Sequence, residues 1–271
     1  MNLEDLQGRP RFFGLFLGDP GTGKTIQACS FPGVYVFDCD NRMRPVVNFH
    51  KGRKDINFDT YYRDYPKLAQ KLEELLGRCP YDTIVMDSLT MLADMIILQS
   101  IRSAGKGDDK DRVGKKIGGV MVPSIEDFNM ESGALTQVLD ALRGIPANVI
   151  LTAHVITTSE TDLKTKRVKE NRTLLTAGKK IAAKIPTAFD EIYSFYSQSD
   201  ISGSGRDYFC ATYNTGLDMG KTAHPMPDMI NLTQSMTLID DGKFLWPQIQ
   251  HYFEKPVVAG IEDADMKPIF G

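Results

Sequence analysis

Eight residues near the amino terminus have the types and the spacing of a phosphate-binding loop. They fit the pattern G-x-x-x-x-G-K-[S/T]. In such a loop the glycines let backbone N–H groups approach the phosphates, the lysine brings a positive charge to them, and the last hydroxyl reaches Mg²⁺. The motif therefore predicts a site for a nucleoside triphosphate, with Mg²⁺ bound in part by Thr25. The predicted nucleotide-binding residues are Gly18, Asp19, Pro20, Gly21, Thr22, Gly23, Lys24 and Thr25.

Acidic residues follow two apolar runs farther along the chain. Asp87 closes the run 83–86, where a carboxylate at the end of a strand can reach Mg²⁺ beside the phosphate-binding loop. A helix cap is the alternative role for Asp87. Asp38 and Asp40 follow another run, and Asp40 is predicted to orient or deprotonate the attacking water because it lies beyond the strand end. A simple turn acid is the alternative for Asp40.

A histidine ends a third apolar run. His154 follows residues 149–153, a position from which a polar side chain can contact the γ-phosphate and report its presence to the segment behind it. A purely structural histidine is the alternative. The other histidines, His50, His224 and His251, lack the spacing of metal ligands.

Two polar segments carry an excess of basic residues. Residues 103–119 and 156–176 are predicted to be loops, and their charge suits a nucleic-acid phosphate backbone. A solvated surface is the alternative interpretation. The predicted DNA-binding residues are Lys106, Lys110, Arg112, Lys115 and Lys116 in the first segment and Lys164, Lys166, Arg167, Lys169 and Arg172 in the second.

The hydrophobic pattern indicates the elements that must position these residues. An apolar run over 12–17 predicts a buried strand before the phosphate-binding loop, and a helix follows from Thr25. Strands then alternate with helices, which predicts an α/β fold with a mainly parallel sheet covered on both faces. The predicted strands are 33–38, 56–61, 81–87 and 148–154, and the predicted helices are 66–77, 91–101, 128–143 and 179–188.

The last third of the chain departs from this alternation. Residues 191–196 and 208–213 predict an antiparallel pair at the C-terminal edge of the sheet, and 245–253 predicts a final helix. We therefore expect one domain over 11–254, with an N-terminal arm (1–10) and a C-terminal tail (255–271).

Composition narrows the class of protein. The 271 residues are 42% hydrophobic and 25% charged, which is ordinary for a globular protein. The net charge of −3 means that any contact with nucleic acid must use local basic patches. The four cysteines form no C-x-x-C pair, and no apolar run approaches 18 residues, which predicts a cytoplasmic protein without a zinc site or a membrane partner.

The order of these motifs resembles the RecA-type recombinase core. The phosphate-binding loop is followed by DCDNRMRP at 38–45 and by MDSL at 86–89, and the resemblance runs from about residue 11 to about residue 230. The chain is most similar to short phage-encoded proteins, the AAA-type ATP-binding proteins linked to single-strand annealing and recombination. This resemblance implies a three-layer RecA-like P-loop fold and Mg²⁺-dependent, DNA-stimulated ATP hydrolysis.

The resemblance also implies roles for particular residues and partners. Asp40 stands where the family has a catalytic glutamate, and His154 stands where a glutamine couples the γ-phosphate to DNA. Lys221 stands where a basic residue reaches the neighbouring subunit's ATP. The expected partners are single-stranded DNA, further copies of the chain in a ring or short filament with ATP at the subunit interface, and a single-strand-binding protein.

Two other functions fit the same motifs. The first is a ring helicase or a helicase loader, which differs in directional unwinding. The second is a nucleotide-gated assembly protein, for which the segments 102–119 and 156–176 would dock protein partners instead of DNA.

Overall fold

The computed structural model describes residues 11–104, 116–117, 120–161, 168–176, 178–203, 205–215 and 219–253. The predicted arm (1–10) and tail (255–271) lie outside these residues. The strands are β1 (Phe13–Gly18), β2 (Val34–Asp38), β3 (Ile56–Thr60), β4 (Thr83–Asp87), β5 (Lys116–Ile117), β6 (Val120–Met121), β7 (Asn148–Ala153), β8 (Val155–Thr161), β9 (Val168–Leu174), β10 (Glu191–Ser199), β11 (Arg206–Ala211) and β12 (Met229–Asn231). The α-helices are α1 (Lys24–Ala28), α2 (Arg44–Phe49), α3 (Tyr65–Gly77), α4 (Leu89–Ala104), α5 (Ile125–Gly144), α6 (Lys179–Lys184), α7 (Thr233–Thr237) and α8 (Leu245–Phe253), with 3₁₀ turns at Ile185–Ala188 and Asp241–Lys243.

One eight-stranded sheet forms the centre of the molecule. Its order is β12-β11-β10-β1-β7-β4-β2-β3, and the six strands from β10 to β3 are mutually parallel. Strands β11 and β12 run antiparallel at one edge. The central strands β1, β2 and β4 are buried along their whole length, as expected for strands covered on both faces. The predicted sheet, mainly parallel with an antiparallel C-terminal edge, is confirmed.

Helices cover both faces of this sheet and complete the three layers. On one face Leu68 and Leu72 of α3 pack with Leu92 of α4 and Leu135 of α5 into the larger core cluster. On the other face α1, α2 and α8 contribute Ala28, Val46, Leu245, Ile249 and Phe253 to a second cluster. No described helix has both the length and the apolar character needed to cross a membrane.

The segment 156–176, predicted to be a loop, contains a β-hairpin instead. Strands β8 and β9 pair antiparallel, from Val155 opposite Leu174 to Thr161 opposite Val168, in a sheet of their own. Threonine and valine are frequent here and favour extended backbone. A two-stranded ribbon with polar residues on both faces shows no alternation of apolar and polar residues, and the alternation is what the sequence pattern detects. Strand β5, near the end of the first basic segment, also pairs antiparallel with β6, which follows that segment.

Candidate functional site

The phosphate-binding loop connects β1, in the middle of the sheet, with α1. Its conformation requires glycine at two positions. A Cβ on Gly18 would lie 2.2 Å from the backbone oxygen of Phe195 in β10. Gly23 has φ +90, and a Cβ there would lie 2.9 Å from the Met236 methyl group of α7. The loop therefore packs closely against β10 on one side and α7 on the other.

The side chain of Lys24 is buried and folds back toward the first residues of the loop. Its Nζ donates hydrogen bonds to the backbone oxygens of Gly18 and Asp19, each at 2.8 Å. Burial lowers the pKa of Lys24 to about 8, with Asp87 the strongest of the carboxylates that oppose this shift. The ammonium is thus still mostly protonated at pH 7, and phosphate oxygens can replace the two carbonyl acceptors.

Asp87 ends β4, interacts electrostatically with Lys24, and is only 6% exposed. The hydroxyl of Thr25 lies 3.0 Å from both of its carboxylate oxygens, and the hydroxyl of Thr152 in β7 also donates to it. Burial raises the pKa of Asp87 to about 6, and the nearby charges of Asp40 and Asp38 add to this effect. The carboxylate is partnered by neutral hydroxyl groups and would be stabilised by a nearby cation.

The pair Thr25–Asp87 fits Mg²⁺ by the chemistry of its donors. A carboxylate and a hydroxyl supply two hard oxygen ligands, and Mg²⁺ in nucleotide sites takes its other ligands from phosphates and water. Within the described ranges there is no cluster of three or more His, Cys, Asp or Glu residues that could hold a metal ion. A metal ion held by Thr25 and Asp87 would therefore take its remaining ligands from the nucleotide and from water.

Asp38 and Asp40 differ in how their carboxylates are used. Asp38 is 1% exposed and accepts hydrogen bonds from the Arg42 backbone N–H at 3.1 Å and from the Thr60 hydroxyl at 3.2 Å. Asp40 accepts one from the hydroxyl of Ser88, at 3.0 Å, and lines the cleft. Asp38 therefore shapes the turn, whereas Asp40 is placed to meet a ligand.

His154 lies between β7 and β8 and lines the same cleft. Its backbone N–H donates to the hydroxyl of Thr90 at 3.1 Å, which fixes the chain at this point. The ring Nδ1 is buried without a hydrogen-bond partner among the described residues. Burial lowers the pKa of His154, and the charge of Lys24 lowers it further, so the ring is neutral at pH 7.

The structure brings four of the predicted catalytic residues, Lys24, Asp40, Asp87 and His154, to one cleft of about 180 Å³. Sequence reasoning missed Ser88 and Thr152, which hold Asp40 and Asp87. Thr152 gave no signal of its own, because its contact with Asp87 depends on β7 lying beside β4. The residues that line the cleft are Pro20, Gly21, Gly23, Lys24, Thr25, Ile26, Asp40, Arg42, Pro45, Val46, Asp87 and His154.

Lys221 lies away from this cleft. Its backbone pairs with Ile192 in an isolated bridge, and Ile192 is opposite Leu15 near the beginning of β1, whereas the phosphate-binding loop follows the end of that strand. Its Nζ donates to the backbone oxygen of Phe189 at 2.7 Å. Lys221 is therefore not a member of its own chain's nucleotide site.

The predicted DNA-binding residues are placed only in part. Arg172 of β9 contacts Asp19 of the phosphate-binding loop, with 2.7 Å between Nη2 and Oδ2. Lys116 lies in β5 and Lys169 in β9. The others lie outside the described residues: Lys106, Lys110, Arg112, Lys115, Lys164, Lys166 and Arg167.

Comparison with known proteins agrees with this arrangement. A family model described as an AAA domain matches residues 13–224. Among solved structures, a KaiC-like protein from the hyperthermophilic archaeon Pyrococcus horikoshii OT3 is similar, with 15% sequence identity, coverage of 83% of this chain and 86% of that chain, and a TM-score of 0.40. No curated protein sequence matches the chain. Because the family match spans most of the chain and includes the whole phosphate-binding loop, the protein belongs to the AAA-domain family of P-loop ATPases.

Proposed function

We propose that the protein hydrolyses ATP with Mg²⁺, binds single-stranded DNA, and acts in recombination or strand annealing, as phage-encoded proteins of this type do. One observation carries the link between nucleotide and DNA. The hairpin β8–β9 begins one residue after β7, and that residue is His154 in the nucleotide cleft. A change at the cleft therefore reaches the hairpin through a single residue.

The cleft supplies the groups that hydrolysis requires. Lys24 exchanges its carbonyl acceptors for phosphate oxygens, and Thr25 with Asp87 would hold Mg²⁺. When bound, Mg²⁺ supplies positive charge to the phosphates. Asp40, held by the Ser88 hydroxyl, orients the attacking water and can accept its proton.

A second copy of the chain completes the site in this proposal. Lys221 pairs with Ile192 at the beginning of β10, away from its own cleft, so its charge would act on the ATP of a neighbouring subunit in a ring or short filament. A cation that approaches the transferred phosphoryl group stabilises the charge that develops there.

The hairpin is the proposed contact with DNA, and a single-strand-binding protein is a further proposed partner. Residues 162–167, which connect β8 with β9, include Lys164, Lys166 and Arg167. Three positive charges on the connection of a hairpin suit a phosphate backbone, and binding of this kind weakens as salt displaces counterions.

Charge reversal on the hairpin tests the DNA contact. We expect Lys166→Glu with Arg167→Glu to weaken single-stranded DNA binding at least about tenfold, because two phosphate contacts become repulsive. The measurement is fluorescence anisotropy of a labelled oligonucleotide with Mg²⁺ and a non-hydrolysable ATP analogue. Lys54→Glu with Arg78→Glu is the matched control, since both residues are exposed and precede β3 and β4, at the opposite end of the sheet from the cleft. If the DNA affinity of the hairpin variant is unchanged, the hairpin does not bind DNA and would instead bind protein partners.

A further inference from the structure

Arg172 joins the hairpin to the phosphate-binding loop across 153 positions of sequence. It lies in β9 opposite Thr157, and its guanidinium pairs with the carboxylate of Asp19 at 2.7 Å. The Arg172 side chain is only 12% exposed, whereas that of Asp19 is 60% exposed. The guanidinium is thus enclosed at the second residue of the loop, while the carboxylate it pairs with faces outward.

The same end of the loop holds a second cation. The Nζ of Lys24 hydrogen-bonds the backbone oxygen of Asp19, whose side chain pairs with Arg172. Burial is the main cause that lowers the pKa of Lys24, and the charge of Arg172 contributes to the same shift. The two positive groups therefore act on each other electrostatically at the place where a P-loop receives the β- and γ-phosphates.

The Asp19 carboxylate is poorly suited to this position unless it is neutralised. A negative charge beside bound phosphates repels them, and the ion pair with Arg172 offsets that repulsion. A terminal phosphate is also the stronger partner for a guanidinium, because it carries more charge and offers oxygens in the spacing that the planar fork matches. ATP presents such a group at the γ-position, and ADP does not.

We propose that Arg172 binds the γ-phosphate of ATP directly, and that Asp19 holds the guanidinium in place until ATP arrives. The exchange of Asp19 for the γ-phosphate shifts β9 relative to the loop, so the hairpin registers whether ATP or ADP is bound. This proposal deepens the proposed function, and depends on the part of it that concerns nucleotide binding. It assigns Arg172 to the nucleotide and leaves the DNA contact to the residues between β8 and β9.

Nucleotide affinity of the full-length chain tests this role. The probes are AMP-PNP, which keeps a γ-phosphate, and ADP, each measured by calorimetry with Mg²⁺. We expect Arg172→Ala to weaken AMP-PNP binding about ten- to a hundredfold, the usual effect of losing one charged hydrogen-bonding partner, and to leave ADP binding unchanged. Arg172→Lys should retain part of the preference, since the charge remains without the fork. Arg206→Ala is the control, because Arg206 is exposed in β11 and contacts Ser197.

A second variant, Asp19→Asn, distinguishes an Arg172 that binds the γ-phosphate from an Arg172 that only holds the hairpin against the loop. If Arg172 binds the γ-phosphate, Asp19→Asn removes a carboxylate that competes with the γ-phosphate for the guanidinium and a charge that repels phosphates, so AMP-PNP binds at least as tightly as to the wild type. If the ion pair only anchors the hairpin, Asp19→Asn weakens AMP-PNP binding as Arg172→Ala does, and that result overturns the proposal. Equal losses for AMP-PNP and ADP in Arg172→Ala, or no loss for either, also overturn it. If the wild-type chain binds both nucleotides but not DNA, the proposed DNA-binding function is wrong. The role of Arg172 is still decided by the affinities of the variants for AMP-PNP and ADP.

Discussion

At the scale of single residues, the buried carboxylate of Asp87 lowers the free energy of unfolding when it is ionised. Its carboxylate is almost fully buried, and burial raises its pKa from 3.8 to about 6. The folded chain therefore binds this proton more tightly than the unfolded chain does. The resulting stabilisation is complete below about pH 3.8 and is lost as the pH rises through about 6.

Replacement of Asp87 by asparagine should stabilise the nucleotide-free protein while abolishing its ATPase activity. The neutral amide imitates the protonated acid, so at pH 7.5 the free energy of unfolding should rise by as much as about 3 kcal/mol, the equivalent of a shift of about two pKa units. Urea denaturation of both proteins gives this difference, which should shrink as the pH falls toward 4. A less stable variant at pH 7.5 would show that hydrogen bonds from Thr25 and Thr152 outweigh the buried charge.

The pH dependence of ATP hydrolysis should follow the same group. Holding Mg²⁺ requires the ionised carboxylate, so we expect the rate to decline as the pH falls through about 6, with Lys24 still protonated over that range. Initial rates at saturating ATP between pH 5 and 8 provide the measurement, and circular dichroism at each pH shows that the chain stays folded. A rate that is flat from pH 7 to pH 5 would contradict the metal role of Asp87.

The residues of the site were predictable to different degrees. Lys24 and Thr25 follow from one contiguous motif, and Asp87 from an apolar strand that ends in a carboxylate. The partners Thr152 and Ser88 were not predictable, because their contacts arise from strand neighbours and turns that no local pattern specifies. The charge of Arg172 predicts a DNA contact, whereas its contact with Asp19 depends on a hairpin that the sequence pattern does not indicate.

At the scale of elements, the helix of the phosphate-binding loop is secured by the C-terminal segment. Gln27 of α1 is fully buried, donates to the hydroxyl of Ser235 in α7 at 2.9 Å, and accepts from the backbone N–H of Leu245 at 2.7 Å. One side chain therefore satisfies polar groups on two separate elements. The nucleotide loop and the last helices are expected to unfold together.

Gln27→Ala should lower the free energy of unfolding by about 2–3 kcal/mol, because it leaves the buried N–H of Leu245 without its acceptor. The midpoint of urea denaturation measures the loss. Gln70→Ala, at an exposed position of α3, should change stability by less than about 0.5 kcal/mol. Equal effects of the two substitutions would mean that the contact between α1 and the C-terminal helices contributes little to stability.

The elements themselves were predictable where a buried face imposes a pattern. Strands β1, β2, β4 and β7 and helices α3 and α5 carry apolar residues at the expected spacing, and each was located within a few residues. The hairpin β8–β9 was missed because it lies outside the main sheet and carries mostly polar side chains. A pattern that reflects burial cannot identify a ribbon with little to bury.

At the scale of the whole molecule, the proposed assembly predicts that two inactive variants restore each other. Lys221→Ala should lower the rate of ATP hydrolysis about a hundredfold, the usual effect of removing one group that stabilises the transition state. A mixture with Lys24→Ala should regain activity, since the intact loop of one subunit then meets the intact Lys221 of the other. The measurement compares the ATP hydrolysis rates of each variant alone with the rate of the two variants refolded together. Failure of the mixture to exceed the sum of its components would contradict a site shared between subunits.

We propose that the state of the nucleotide cleft and the binding of single-stranded DNA are coupled through the hairpin that follows His154. The most direct test of this coupling is steady-state ATP hydrolysis by the full-length chain, with and without single-stranded DNA, with Lys24→Ala as the inactive control. We expect DNA to raise the rate, and this rise to diminish between about 50 mM and about 200 mM salt as phosphate contacts weaken. Hydrolysis that depends on Lys24 but is the same with and without DNA at every salt concentration would contradict it.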